Sequence, residues 1–421
     1  MIVGQRINSL FILLVPVLFC SFGTFYHISW RVQTTQWRQS QADQAHSGHL
    51  TDSIAPPLHL VWRRRFTSSV EPIVAAGNII YCLSRETMEA VDTHSGVVLW
   101  QNSDAEHMPL LATDKGVWTL VGSLSKKVLV LLSADKGTIL LTLDTQKIAP
   151  GTQWVDIGVA TRSGNLIVIL HSQSPGPERL LEVDTRTGQA LAQRSTDFGY
   201  WTSETYGMNV DEVGEMLGES EWLFLHDHDT LATLEGGVNG RLHGLEYLPD
   251  CGQVSADPDT LYLRYGTLAD AYDRHLRVKW FTDLPGFTDD KDARWKLPPP
   301  LVTPDRVIFS STDRIYALDT RNGKIAWIKR LGTDSEIVSG GGPVATGGIV
   351  YIPIASHPNG LTDTLVALSV RNGQVVWSWK TAYALRHIIA HQGALYIQAD
   401  RPVSSGREVS EAYLLKIAGS H

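Results

Sequence analysis

Cysteine is nearly absent: three residues in 421, at Cys20, Cys82 and Cys251. Positions so far apart exclude a disulfide-stapled scaffold and any CxxC metal site. Spacing leaves open whether Cys82 and Cys251 pair. A dominant charge sign is also missing. The 36 Lys and Arg against 44 Asp and Glu give a net charge of -8, spread along the chain. That balance points to neither a nucleic-acid surface nor a basic membrane-binding face. There is no GxSxG or HExxH motif, and no pair of carboxylates assignable to acid–base work. No helix-period stretch occurs after residue 58. What remains, 43% hydrophobic and 19% charged, is the composition of a globular chain long enough for one large core or several smaller ones.

Long apolar runs are scarce too, and the one present is N-terminal. Residues 9–30 contain no Asp, Glu, Lys or Arg, with the most apolar part at 10–22. About 20 residues are enough for a helix to cross ~30 Å of hydrocarbon, and Tyr26 and Trp30 suit an aromatic belt. No A-x-A-like site follows. Residues 1–32 are therefore expected to be an uncleaved transmembrane anchor. The alternatives are a cleaved signal, a lipoprotein modified at Cys20 (against which Phe19 precedes it) and a buried helix. Arg6 on one side and Arg31 and Arg38 on the other do not decide orientation. Residues 33–57, polar, Gln-rich and closed by Pro56-Pro57, read as a solvated linker.

From residue 58 to 419 one pattern recurs. Its fullest copies are AVDTHSGVVLW (90–100), ALDTRNGKIAW (317–327) and ALSVRNGQVVW (367–377). EVDTRTGQALA (182–192) lacks the Trp, LLSADKGTILL (131–141) has Ser133 at the Asp position, and AYDRHLRVKW (271–280) drops one residue and the Gly. The repeat positions are thus Trp62, Asp92, Gly96, Trp100, Ser133, Gly137, Asp184, Gly188, Asp273, Trp280, Asp319, Gly323, Trp327, Ser369, Gly373 and Trp377. The pattern predicts a hairpin: an alternating strand, a turn whose Asp or Ser accepts from backbone N–H groups and whose Gly takes φ > 0, then a strand ending in Trp. A second hairpin signal lies upstream of each unit, so each repeat supplies four strands, one propeller blade.

The Asp positions are spaced by 41 (92 to 133), 51 (133 to 184), 89 (184 to 273), 46 (273 to 319) and 50 (319 to 369). The long gap predicts a disguised blade near 200–250, with 222–229 as its third strand and turn. Residues 387–419 supply three strands, and Leu58–Phe66 is expected to complete that last blade and remove exposed edges. The expected fold is all-β, an eight-bladed propeller, or seven-bladed if 200–250 is only an insertion.

The [AE]-[VL]-[DS]-x-x-x-G-x-x-x-W unit resembles the repeat of pyrroloquinoline-quinone-type propellers, a superfamily that includes quinoprotein alcohol dehydrogenases and BamB-like outer-membrane assembly proteins. The resemblance spans nearly all of 58–419. It implies that the repeat Trp and Gly residues dock blades together. The family's enzymes hold the quinone against a disulfide between adjacent cysteines, with calcium and a catalytic carboxylate nearby. No two cysteines are adjacent in this sequence, so the resemblance carries the fold without quinone or calcium. No catalytic, cofactor-binding or metal residue is assigned.

Other clusters read as structure. His226-Asp227-His228-Asp229 would place two imidazoles on one strand face but lacks a third ligand. Asp289-Asp290-Lys291-Asp292 lacks the Gly and Glu of a calcium loop. Ser339-Gly340-Gly341-Gly342-Pro343 leads into an inner strand, and Arg63-Arg64-Arg65 reads as a solvated edge. The expected role is a monomeric, membrane-anchored, extracytoplasmic, non-catalytic module binding a protein partner. A quinone-dependent dehydrogenase, a hydrolase with a metal at the channel mouth and a sensor ectodomain are the rivals.

Overall fold

The computed structural model describes residues 48–419 except 67–72, 85–86, 106–110, 123–127, 149–151, 161–164, 173–178, 196–215, 220–221, 228–229, 236–237, 248–253, 266, 288–297, 312, 332–334, 338–341, 357–362 and 402–410. The expected anchor lies outside these residues. No helix among them is long and apolar enough to cross a membrane. Among the described residues the fold is all-β, with one four-residue helical turn at Thr145–Ile148.

The strands form eight sheets, seven of four strands and one of six. In chain order they occupy 74–102, 111–143, 152–195, 216–247, 255–283, 301–330, 344–380 and 384–419, and are called here the first to eighth sheets. Each has an antiparallel four-stranded core, to which the seventh sheet adds His49–Leu50, paired in parallel, and Ser335–Ile337. The disguised sheet is real and corrects the expectation in detail: Trp222–Asp227 is its second strand, Thr230–Glu235 its third and Arg241–Tyr247 its outer one. The eighth sheet takes its outer strand from the other end of the chain. Leu58–Phe66 pairs antiparallel with Glu411–Gly419, from Leu58 opposite Gly419 to Phe66 opposite Ala412.

The cores lie between consecutive sheets. Tyr262, Ala269, Ala271 and Trp280 of the fifth sheet, for example, pack with Val302, Val307, Tyr316 and Leu318 of the sixth. Middle strands are therefore apolar on both faces, which explains runs such as Ile79–Ser84 and Val128–Ser133.

Four seams repeat one set of contacts. The indole N–H of Trp62 donates to Thr93 O (3.1 Å), Trp100 to Ala134 O (2.9 Å), Trp280 to Thr320 O (3.0 Å) and Trp327 to Val370 O (2.9 Å). In each case the acceptor is the residue after the repeat Asp or Ser of the following sheet. The indole ring covers the glycine of that same turn. A Cβ added at Gly96, Gly137, Gly323 or Gly373 would come within 2.5–2.9 Å of the ring. Trp62 makes this contact from the eighth sheet onto the first, so the series closes on itself. Trp377 packs against the core that includes the eighth sheet.

The turns behave as the sequence predicts. Asp92 Oδ1 accepts from Ser95 N (2.7 Å), Asp184 from Arg186 N (2.8 Å), Asp273 from His275 N (2.8 Å) and Asp319 from Arg321 N (3.0 Å). Ser133 Oγ accepts from Thr138 N at 3.2 Å, and Gly373 N donates to Ser369 O at 2.9 Å. In the turn that lost its glycine, Leu276 adopts φ 59° and donates to Asp273 O.

The seam at Gly188 is built differently. The residue facing it is Leu141, where other repeats have Trp, and an added Cβ would meet it no closer than 3.6 Å. Gly137→Ala must both hold a left-handed backbone, about 1–2 kcal/mol, and displace Trp100, about 1–3 kcal/mol more. Gly188→Ala carries only the first cost. Urea unfolding of the two variants is expected to show the larger loss at Gly137, and equal losses would contradict the seam role.

The folded unit also begins earlier than expected. Residues 48–57 belong to the stretch read as a solvated linker, yet His49–Leu50 pairs in parallel with the first strand of the seventh sheet. Leu50 and Ile54 are buried in the core shared with the eighth sheet, because Tyr351 Oη donates to Ile54 O and Ser53 lies against Gly347. This pairing at long sequence range draws two isolated apolar residues inside.

Candidate functional site

The third-to-outer-strand pairing carries a β-bulge in all eight sheets, one residue before the repeat Trp position. In the first sheet Ala90 opposes Trp100 and Val91 opposes Val98, leaving Leu99 extra. The equivalent residues are Leu140, Leu191, His243, Lys279, Ala326, Val376 and Val61 in the second to eighth sheets. A bulge kinks and twists the strand and turns the extra side chain outward. Among the described residues, every exposed large hydrophobic side chain lies on an outer strand or in the turn leading into it.

The most exposed of these is Phe281, 69% accessible, in the fifth sheet. Its position follows from Trp280. That indole turns inward toward the sixth sheet and stacks on Tyr262 (centroids 6.0 Å apart), so its neighbour in the strand faces the opposite way. Val278 and Lys279 are exposed beside it, and Ile328, one residue after the repeat Trp of the sixth sheet, is exposed as well.

Beneath this surface the fifth sheet holds two buried charged groups. Asp270 stands opposite Phe281 on one side and Leu263 on the other, and is 7% accessible. Its Oδ1 has no hydrogen-bond partner among the described residues. Burial pushes its carboxyl up to about 6. Arg264 is also buried, with its guanidinium 4.8 Å from the centre of the Phe287 ring.

A second feature is the seam between the eighth and first sheets. Thr93 O receives Trp62 Nε1, Lys416 Nζ (2.9 Å) and Tyr396 Oη (3.5 Å). Burial lowers the Lys416 ammonium, against the attraction of Asp92. Beside it lies a cleft of about 400 Å³ lined by His59, Val61, Gln392, Ala394, Lys416 and Gly419.

The other residues named from sequence do not converge. Arg64 pairs with Glu89, Arg65 with Glu411, and Arg63 donates to Tyr383 Oη, so the basic triplet is bound to neighbouring strands rather than simply solvated. Cys82 is free and buried, its thiol raised by that burial; Cys251 lies outside the described residues. His226 and Asp227 fall in the second strand of the fourth sheet, whose side chains are not described. His228, Asp229, 289–292 and 339–341 lie outside the described residues. Among the described residues no group of three or more His, Cys, Asp or Glu is placed to hold a metal.

The family model described as "Outer membrane protein assembly factor BamB" matches residues 251–392, about a third of the chain, which spans the fifth, sixth and seventh sheets. Three similar solved structures share the propeller fold. The quinohemoprotein alcohol dehydrogenase of Comamonas testosteroni aligns with TM-score 0.61 and 12% identity, over 92% of this chain and 81% of its own. BamB of Moraxella catarrhalis aligns at 0.55 and 16%, over 86% and 100%. A europium-containing methanol dehydrogenase aligns at 0.62 and 11%, over 91% and 98%. No curated protein sequence matches the chain. The resemblance to pyrroloquinoline-quinone-type propellers is thereby borne out, and the likenesses embrace both enzymes and a BamB.

Proposed function

We propose that the chain is a membrane-anchored, extracytoplasmic, eight-bladed propeller that serves as a non-catalytic docking module for a protein partner, working as a monomer and without quinone or calcium. The observation that carries this reading is Phe281. A large aromatic ring left 69% accessible on a rigid outer strand, flanked by Val278 and Lys279, is the kind of anchor that dominates protein interfaces. It lies within the residues that match the assembly-factor model. The two aromatic groups of this strand thus divide their work: Trp280 holds the sixth sheet, and Phe281 is offered outward.

The test is affinity capture of the full chain from native membranes, in its natural form and as Phe281→Glu. A partner retained in stoichiometric amount by the first, and at least tenfold less by the second, supports the reading. Equal capture by both would remove Phe281 from the interface. A native mass showing stoichiometric quinone would replace the docking module with an enzyme. Because the Phe281 side chain is mostly in water, the substitution is expected to leave thermal unfolding within about 0.5 kcal/mol.

A further inference from the structure

The bulge residues divide the outer strands into two arcs. On five consecutive sheets, the seventh, eighth, first, second and third, the extra residue is a branched aliphatic: Val376, Val61, Leu99, Leu140 and Leu191, each 46–51% accessible. On the remaining three it is His243, Lys279 or Ala326. The aliphatic arc is isolated side chains on successive strands rather than a pocket.

The outer strands of the arc are also free of acids, a property they share with Ile325–Arg330 of the sixth sheet outside it. The five outer strands of the arc, Leu58–Phe66, Val98–Asn102, Ile139–Leu143, Ala190–Ser195 and Val375–Lys380, contain no Asp or Glu, although acids outnumber bases in the whole chain. They carry His59, three arginines before Phe66, Arg194 and Lys380 instead. The repeat carboxylates closest along the chain, Asp92 and Asp184, are engaged by N–H groups of their own turns, and Asp184 also by Arg186; Asp114 and Asp135, each beside a lysine, are exposed at this end.

The chain's own path points to the same end of the sheets. In an antiparallel meander the first and third turns share an end, and the bulges adjoin the third turns. Ser53 lies against Gly347 in the first turn of the seventh sheet, so residues 48–57 run along that end, from the seventh sheet to the eighth. Only 17 residues lie between Trp30, the end of the apolar segment, and Gly48, a reach of about 60 Å at full extension.

We propose that this aliphatic arc rests on a lipid bilayer, its branched side chains in the headgroup–acyl boundary and its exposed Lys380 among anionic headgroups. The proposal deepens the membrane-anchored reading and rests on it for the tether, while the arc itself stands on the folded sheets. Docking by the arc would orient the module and leave Phe281, on the other arc, turned toward a partner.

The test places a photoreactive benzoylphenylalanine at Leu140, Leu191, Lys279 or Ala326 of the full chain reconstituted in vesicles of phosphatidylcholine with and without phosphatidylglycerol. Lipid adducts are expected at Leu140 and Leu191, at least tenfold above Lys279 and Ala326, and to rise with the anionic lipid. Equal yields at all four positions, no adducts, or adducts to protein at Leu140 would overturn the proposal. A Leu99 probe in a Leu140→Glu, Leu191→Glu background is expected to lose most of its lipid adduct while thermal unfolding stays unchanged. Carbonate extraction of the same vesicles separates the two readings. Retention without adducts leaves the anchor and removes the arc, whereas release with adducts does the reverse.

Discussion

Replacing Trp280 with alanine is expected to lower unfolding stability by about 3–5 kcal/mol, the range for removing a large buried aromatic side chain. Three contacts disappear together: the ring over Gly323, the stacking on Tyr262 and the hydrogen bond to Thr320 O. Thr320 O is then left without that donor in a buried seam, which adds to the loss. The surrounding strands cannot collapse into the space, because both are held by their own ladders to the rest of their sheets. Denaturant unfolding followed by far-ultraviolet circular dichroism measures this. A loss under about 1 kcal/mol would mean that the apolar core between the sheets, not indole docking, joins them. The comparable test at Leu141, where a seam already lacks its Trp, is expected to give a smaller loss for Leu141→Ala.

Asp270→Asn is expected to stabilise the protein at pH 7.5 by about 3 kcal/mol. The carboxyl is raised from 3.8 to about 6, and each unit corresponds to 1.36 kcal/mol. The sign follows from proton counts. Between pH 3.8 and 6 the folded state binds the proton that the unfolded state has released, so this group favours folding most at low pH. Its contribution falls as pH rises and is fully lost above 6. The natural chain and the Asn variant should therefore converge near pH 4 and diverge up to pH 7. Parallel stability curves would show that Asp270 stays ionised in the fold. Since Asp270 stands opposite Phe281 in the sheet register, partner capture by the Asn variant also tests whether the buried carboxyl matters to docking.

The repeat made most of the fold legible because Trp, Gly and Asp each perform one duty that few other residues can. The indole spans a seam and donates one hydrogen bond; the glycine accepts the ring at a distance no Cβ allows. Where those residues are missing, legibility fails. The fourth sheet has Gly244 at the Trp position, so nothing in its sequence marks Trp222–Asp227 as the second strand rather than the third. Asp270 was invisible for a different reason. In Leu268–Tyr272 the alternation looks like that of a half-exposed strand, whereas sheets packed on both faces bury the polar position as well. The bulges were hidden because a single extra residue does not disturb the Asp-to-Trp spacing when every copy contains it. Their trace is the pair of consecutive apolar residues before Trp, as in Val375-Val376-Trp377.

The union of Leu58–Phe66 with Glu411–Gly419 also dictates when the domain can finish folding during synthesis. Roughly 350 residues must leave the ribosome after the first of these strands before its partner exists. At about 5–20 residues per second that is a wait of roughly 20–70 s, during which an edge strand bearing Leu60, Val61 and Trp62 has no ladder to join. The separation adds little to equilibrium stability, since closure entropy grows only logarithmically with loop length, but it makes the final step non-local and slow. Nascent chains halted before residue 411 should accordingly expose that strand to holding chaperones and proteases, and release should close the last sheet in a single late event.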